Sequence, residues 1–146
     1  MPWITVNYYP GFAEDLTSWT TCIEPDGSVS QTVRVSRFEP REERTDHFSA
    51  QLSPEQVSEL CRFIAATDFN GLTEAARSFV IDDAETCSVT VQQGDTVSHF
   101  EGSLQSWRLR QQHGYGSAPQ FDLSAALRLW HALDVISPYG LHTNVA

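Results

Sequence analysis

Hydrophobic and polar residues alternate along several short stretches of the chain, a period of two that is typical of half-buried β-strands. This alternation predicts a first strand over residues 4–9, which ends where Pro10-Gly11 interrupts it. Two further runs, over residues 19–24 and 29–38, flank Pro25-Asp26-Gly27. An Asp-Gly pair between alternating runs supplies the positive φ of a tight turn, so the two runs are predicted to form a hairpin.

The pattern changes after this hairpin. Residues 39–46 combine a proline with many charges and are predicted to be an exposed loop. Ser53, Pro54 and Gln56 then form a helix start, with an N-cap, a proline in the first turn and a capping-box partner. One apolar stripe follows at helical spacing: Val57, Leu60, Cys61 and Ile64. The helix is predicted to end near Thr67-Asp68.

The second half repeats this order. After a short strand predicted at 79–81, alternating runs over 87–92 and 97–100 flank Gly94-Asp95 and predict a second hairpin. Residues 103–120 show no clear period and are predicted to be a long loop. A closing helix, capped by Asp122 or Ser124, is predicted to bury one face, made of Leu123, Ala126, Leu127, Trp130 and Leu133.

These elements predict a single domain over residues 1–146 of the α+β class. Its antiparallel sheet would be built from two hairpin-helix halves, with the two helices packed on one face. The two halves share little residue identity, so an internal duplication is not needed to explain the order.

The charge balance narrows the classes of partner and of chemistry that fit this chain. The chain has 19 acidic and nine basic residues, a net charge of −10, and every basic residue is an arginine. A negative surface repels phosphate backbones and disfavours nucleic acid as a partner, whereas a basic protein is a compatible one. The absence of lysine excludes Schiff-base chemistry and a phosphate-binding P-loop.

The sequence also predicts where the chain resides. Its first residues show no basic leader, apolar stretch or cleavage site, and no window is apolar enough to span a bilayer. Cys22, Cys61 and Cys87 are few, odd in number and far apart. These features predict a cytoplasmic protein with reduced thiols that binds no membrane.

The sequence contains no recognisable catalytic or metal-binding motif, and no cofactor is predicted. The five histidines do not recur at metal-ligand spacings. Cys87 and His99 could face each other across the second hairpin, but Cys87 shares its alternation with Val89 and Val91, which favours a place in the core. The carboxylates near residue 82 lack the spacing of a calcium loop.

Two segments are instead candidates for contact with a partner. The long loop contains the residue types that dominate binding hot spots, because each buries a large area and offers a directed polar group. Its candidate residues are Trp107, Arg108, Arg110, His113 and Tyr115. An acidic cluster provides three more candidates: Asp82, Asp83 and Glu85. In the alternative interpretation, Trp107 folds onto the core and the acidic cluster is a solvated turn.

The order of motifs resembles the emfourin-type family of small bacterial proteins. The resemblance rests on residues 23–29, 52–57 with Ile64 and Asp68-Phe69, and 88–91, and it covers about residues 19–135. The named member of that family is a proteinase inhibitor that acts by binding. This chain departs from it in its N-terminal strand, at 39–46 and at 103–120, and no functional residue is carried across.

The sequence therefore predicts a small acidic binding protein, without enzymatic activity, that neutralises another protein. A toxin-immunity protein facing a basic toxin, or an enzyme inhibitor, would fit this description. Two alternatives stay open: a small hydrolase or transferase using His113 or His99 with a carboxylate such as Asp82, and a subunit of a homo-oligomer.

Overall fold

The structure is a computed structural model that describes residues 3–11, 16–38, 40–70 and 85–103, together with Leu129, Ala132 and Leu133. Within these residues the fold is one six-stranded antiparallel sheet and one complete helix. In chain order the elements are β1 (Ile4–Tyr9), β2 (Ser18–Ile23), β3 (Ser28–Phe38), β4 (Arg41–Gln51), α1 (Pro54–Ala66), β5 (Thr86–Gln93) and β6 (Thr96–Gly102).

The strand order in the sheet is β4-β3-β2-β1-β5-β6. The first four strands form a meander, and β5 then pairs with the free side of β1. β1 therefore lies inside the sheet, and β4 and β6 are the two outer strands. In sequence, the helix α1 lies between β4 and β5. In the sheet, β4 is at one edge and β5 is on the far side of β1.

The predicted fold class is wrong. The described residues are predominantly β, with a single complete helix, rather than an α+β sheet with two helices packed on it. Most of the segment predicted as the closing helix lies outside the described residues. Leu129, Ala132 and Leu133 have helical backbone, and the two leucines are buried.

The interpretation of the segment that forms β4 contributed to this error. Residues 39–46 were predicted to be a charged loop, but Arg41–Gln51 is a strand that pairs with β3 over its whole length. Charged residues are common on edge strands, where they discourage pairing with other chains. The charge pattern of this segment therefore marked a sheet edge and not a break in the sheet.

Both predicted hairpin turns are confirmed. Gly27, between β2 and β3, has φ of +88°, and Gly94, between β5 and β6, has φ of +59°. A residue without Cβ adopts these values without steric cost, which is why the turns require glycine. The β2–β3 turn also holds the end of β4, because the Leu52 N–H donates to the Gly27 carbonyl at 2.9 Å.

The predicted helix start is confirmed in detail. The N–H of Gln56 donates to the Ser53 hydroxyl at 3.2 Å, and the Ser53 N–H donates to the Gln56 side chain at 2.8 Å. These two bonds are the reciprocal pair of a capping box. α1 ends at Ala66, as predicted, and buries Leu60 and Ile64 in the same core as the sheet.

One face of the sheet carries this core. Its residues alternate along the four inner strands and β6 and are almost fully buried: Ile4, Val6, Ile23, Val29, Val33, Val35, Cys87, Val89, Val91 and Phe100. Cys87 donates from Sγ to the Gly102 carbonyl at 3.3 Å. His99 lies on the opposite face, because it stands an odd number of positions from Phe100 in β6, so Cys87 and His99 do not form a dyad.

Candidate functional site

The face of the sheet opposite the core is polar and open to solvent. Strand register places one residue from each of the six strands in a single row: His47, Thr32, Thr20, Asn7, Ser88 and Glu101. We call these six residues the polar row. Because side chains alternate between the two faces, the apolar pattern that builds the core also fixes this row on the other side.

Hydrogen bonds hold the middle of the polar row in place. The Thr20 hydroxyl donates to Asn7 Oδ1 at 2.7 Å, and Asn7 Nδ2 donates to the Ser88 hydroxyl at 3.4 Å. Asn7 thus has its carbonyl oxygen and its amide group engaged on the two flanking strands. These bonds orient the polar groups of the floor before any ligand arrives, which lowers the entropic cost of binding.

A second row on the same face, one step toward the C-terminal end of β1, contains two large side chains, Tyr9 and Arg34. It runs across Thr45, Arg34, Ser18, Tyr9 and Thr86. Tyr9 is 53% exposed and is one of three large hydrophobic residues that are exposed to solvent among the described residues. Tyr9 on β1 and Arg34 on β3 are two strands apart in this row, and both are residue types that are enriched at binding hot spots.

Between these rows lies a hollow of about 390 Å³, which we call the open-face hollow. Asn7, Thr20 and Ser88 are on its floor, and Arg34 and Glu101 lie toward opposite ends. Arg34 and Glu101 belong to β3 and β6, which are four strand spacings apart, or roughly 19 Å. The hollow therefore has a positive end and a negative end.

The two described histidines lie far from each other on this face. His47 is on β4 and His99 on β6, five strand spacings apart, or roughly 24 Å. His47 contacts the Thr32 hydroxyl through Nδ1 at 3.4 Å. His99 Nδ1 contacts the Thr90 hydroxyl at 2.8 Å, and its Nε2 lies 3.7 Å from Glu101 Oε2.

The contact of His99 bears on the predicted alternative of a small enzyme. Its carboxylate neighbour in the structure is Glu101, two residues away on the same strand, whereas the proposed partner Asp82 lies outside the described residues. The side chains of His99 and Glu101 are 45% and 60% exposed. A general base used in catalysis is typically shielded from water in a cleft, so this pair has the character of a surface contact.

Most of the binding residues predicted from the sequence lie outside the described residues: Asp82, Asp83, Trp107, Arg108, Arg110, His113 and Tyr115. Glu85 is described: it is half-buried and directly precedes β5. The proposed contacts of these segments stay predictions.

The residues of the open-face hollow were missed by the sequence analysis. Their only signal was the polar half of the period-two pattern, such as Asn7 and Tyr9 between the apolar positions of β1. Alternation shows that such residues share a face with others, but it does not give the register between strands. That register is what brings Arg34, Tyr9 and Glu101 around one hollow.

In the described part of the chain, no helix is long and apolar enough to cross a membrane. In the same residues, no three His, Cys, Asp or Glu side chains are grouped closely enough to hold a metal ion. Cys22, Cys61 and Cys87 are all free thiols.

In comparison with known proteins, the chain matches no family model and no curated protein. The resemblance to emfourin-type proteins stays a prediction.

Proposed function

We propose that this chain is a binding protein that neutralises another protein by covering part of its surface with the open face of the sheet. The observation that carries the proposal is the open-face hollow, where Tyr9 and Arg34 stand beside a floor of hydrogen-bonded polar groups. A toxin-immunity protein or an enzyme inhibitor acts in this way, by occupying a surface and not by chemistry.

The shape of the hollow favours a protein over a small molecule. Small ligands usually bind where a cavity removes most of their surface from water. Here Asn7, Tyr9 and Arg34 are themselves exposed, so a ligand would be covered from one side only. A protein surface, which is broad and needs contact on one side, fits such a site better.

Charge indicates the class of partner. A net charge of −10 attracts basic proteins over several ångströms and raises the rate at which they associate. Salt screens this attraction, with a Debye length of about 8 Å at physiological ionic strength. We therefore propose a basic partner that binds more slowly and more weakly as salt is added.

The experiment is a capture of partners from lysate of the source cell, followed by affinity measurements on the purified partner. The double variant Tyr9→Ala with Arg34→Ala is expected to bind about tenfold more weakly or worse, because the loss of one hot-spot side chain alone costs about 1–2 kcal/mol. The matched control is Arg62→Ala, which removes the same charge from an exposed position on α1.

Retained affinity in Arg62→Ala and lost affinity in the double variant would support the open face as the binding surface. If the double variant binds as tightly as the parent chain, the open-face hollow is not the site. If the partner is acidic and its affinity does not respond to salt, the electrostatic part of the proposal is wrong.

A further inference from the structure

The outer strand β6 leaves a row of backbone groups pointing away from the sheet. Its two-residue turn pairs Gln93 with Thr96, so the even-numbered residues of β6 exchange hydrogen bonds with β5. Val97, His99 and Glu101 therefore direct their N–H and C=O groups outward. Among the described residues, no backbone hydrogen bond outside the strand ladders involves these three.

The side chains of β6 leave this edge accessible. Val97 is 57% exposed, and the side chains of His99 and Glu101 are 45% and 60% exposed. The strand contains no proline, lysine or arginine, which are the residues that usually prevent an edge from pairing. A free edge of this kind is where extended peptides add a strand to an existing sheet.

We propose that β6 accepts an extended, basic segment of the partner protein as a seventh, antiparallel strand. This inference rests on the proposed function and specifies how the partner is held. Main-chain hydrogen bonds to Val97, His99 and Glu101 supply the affinity, and the side chains of the added strand continue the open face beyond Glu101. The added strand thereby lies at the negative end of the open-face hollow.

The charge at this edge determines the occupant. Glu101 lies near one end of β6, and the exposed Asp95 lies in the turn at the other end. Basic residues near both ends of the added strand would pair with them. A second copy of this chain is a poor occupant, because it would bring another net charge of −10 to the same surface.

Antiparallel register gives the sequence pattern that this edge selects. Residues of the added strand at every second position face Glu101, His99 and Val97 in that order. The best pairings are a basic residue opposite Glu101, a hydroxyl residue opposite His99 and an apolar residue opposite Val97. A further basic residue, next after the apolar one, would lie near Asp95.

A designed peptide tests this pattern directly. The probe is a peptide of sequence Thr-Lys-Thr-Thr-Thr-Val-Arg with blocked ends, titrated into the full chain labelled with ¹⁵N. We expect saturable shifts of the amide signals of Val97, His99 and Glu101, and we expect those shifts to weaken as salt is added. The control peptide carries N-methyl groups on the residues that face these three, which removes the pairing donors, and is expected to bind about tenfold more weakly or worse.

A matched pair of variants tests the same edge from the side of the protein. Val97→Pro removes an outward N–H that the β5 ladder does not use, and Val97→Thr keeps it. We expect Val97→Pro to lose peptide binding and Val97→Thr to retain it. Melting temperatures of both variants establish that they remain folded. Equal binding by the N-methylated peptide, or shifts confined to residues outside β6, would overturn the proposal.

Two outcomes separate this inference from the proposed function. If the captured partner binds Val97→Pro as tightly as the parent chain but loses affinity for the Tyr9→Ala with Arg34→Ala variant, the hollow is a site and strand addition is wrong. If the chain forms a concentration-dependent dimer that Val97→Pro abolishes, the edge belongs to a second copy and the proposal is likewise overturned.

Discussion

The two outer strands of the sheet solve the problem of unpaired edges in different ways. β4 is eleven residues long and carries a cluster of charges, whereas β6 is seven residues long and has one charged residue beside a histidine. An unpaired edge invites other chains, and charges on the edge are a common defence. Within the described residues, charged side chains protect β4 against pairing, whereas β6 has no such protection.

The protection of β4 is built into its side-chain pattern. Arg37 of β3 and Glu42, Arg44 and Asp46 of β4 form a set of ion pairs, which we call the charged ladder. Arg37 Nη1 lies 3.1 Å from Glu42 Oε2, and Arg44 Nε lies 2.9 Å from Asp46 Oδ2; Arg44 also pairs with Glu42. The residues of the charged ladder lie on the core-facing side of the sheet, beyond the edge of the apolar core. Ion pairs therefore take the place of apolar packing there.

The largest expected contrast concerns how each edge is anchored in the core. Phe100 of β6 is 1% exposed and packs against Phe69, whereas Phe48 of β4 is half-buried. Phe100→Ala is expected to lower the free energy of unfolding by about 3–5 kcal/mol and Phe48→Ala by about half as much. Urea denaturation of both variants measures this difference. An equal or larger cost for Phe48→Ala would contradict it.

A smaller contrast separates the two hairpin turns. Gly27→Ala places a Cβ 3.3 Å from the Leu52 carbonyl oxygen at φ of +88°, and Gly94→Ala meets nothing within 4 Å at φ of +59°. We expect losses of about 2 kcal/mol for Gly27→Ala and about 1 kcal/mol for Gly94→Ala. Thermal unfolding tests the order, and a greater loss for Gly94→Ala would refute the role of the β2–β3 turn in holding β4.

The charged ladder is expected to add little to stability. Its side chains are about a third to nearly a half exposed, so solvent screens their attraction. Arg44→Ala should therefore cost about 0.5–1 kcal/mol, and this cost should shrink in about 1 M salt. Arg41→Ala is the control, because its side chain is 83% exposed and its removal should have almost no effect. Identical losses for the two variants would show that the ion pairs of the ladder add nothing to stability beyond the effect of an exposed arginine.

The smallest expected effect depends on pH. The Ser28 N–H donates to Asp26 Oδ1 at 2.9 Å, which holds the pKa of Asp26 below its usual value. A carboxylate with a lowered pKa stabilises the fold above its unfolded pKa of about 3.9 and loses that contribution as pH falls through the folded value. The difference in melting temperature between the parent chain and Asp26→Asn should therefore narrow below about pH 4. A constant difference across that range would exclude this role.

Local sequence signals predicted local structure well in this chain. The capping box of Ser53 and Gln56 and the two glycine turns are each determined by neighbours in sequence, and all three are confirmed. The fold class was wrong in part because the charged residues 39–46 were interpreted as a loop. Pairing with β3 along the full length of β4 overrides that local signal.

The candidate site was less predictable for a physical reason. Tyr9, Arg34 and Glu101 are far apart in sequence and are polar or aromatic residues without a motif. Only the register of five neighbouring strands brings them around one hollow. Register depends on tertiary pairing, which alternation within one strand does not determine.

The most direct test of this account is hydrogen exchange of the backbone amides with and without the captured partner, compared between the two outer strands. We predict that the partner slows exchange at Val97, His99 and Glu101 and leaves Glu42 and Arg44 of β4 unchanged. Slower exchange confined to β4, or no change on either edge, would contradict the claim that β6 is the strand through which this protein holds its partner.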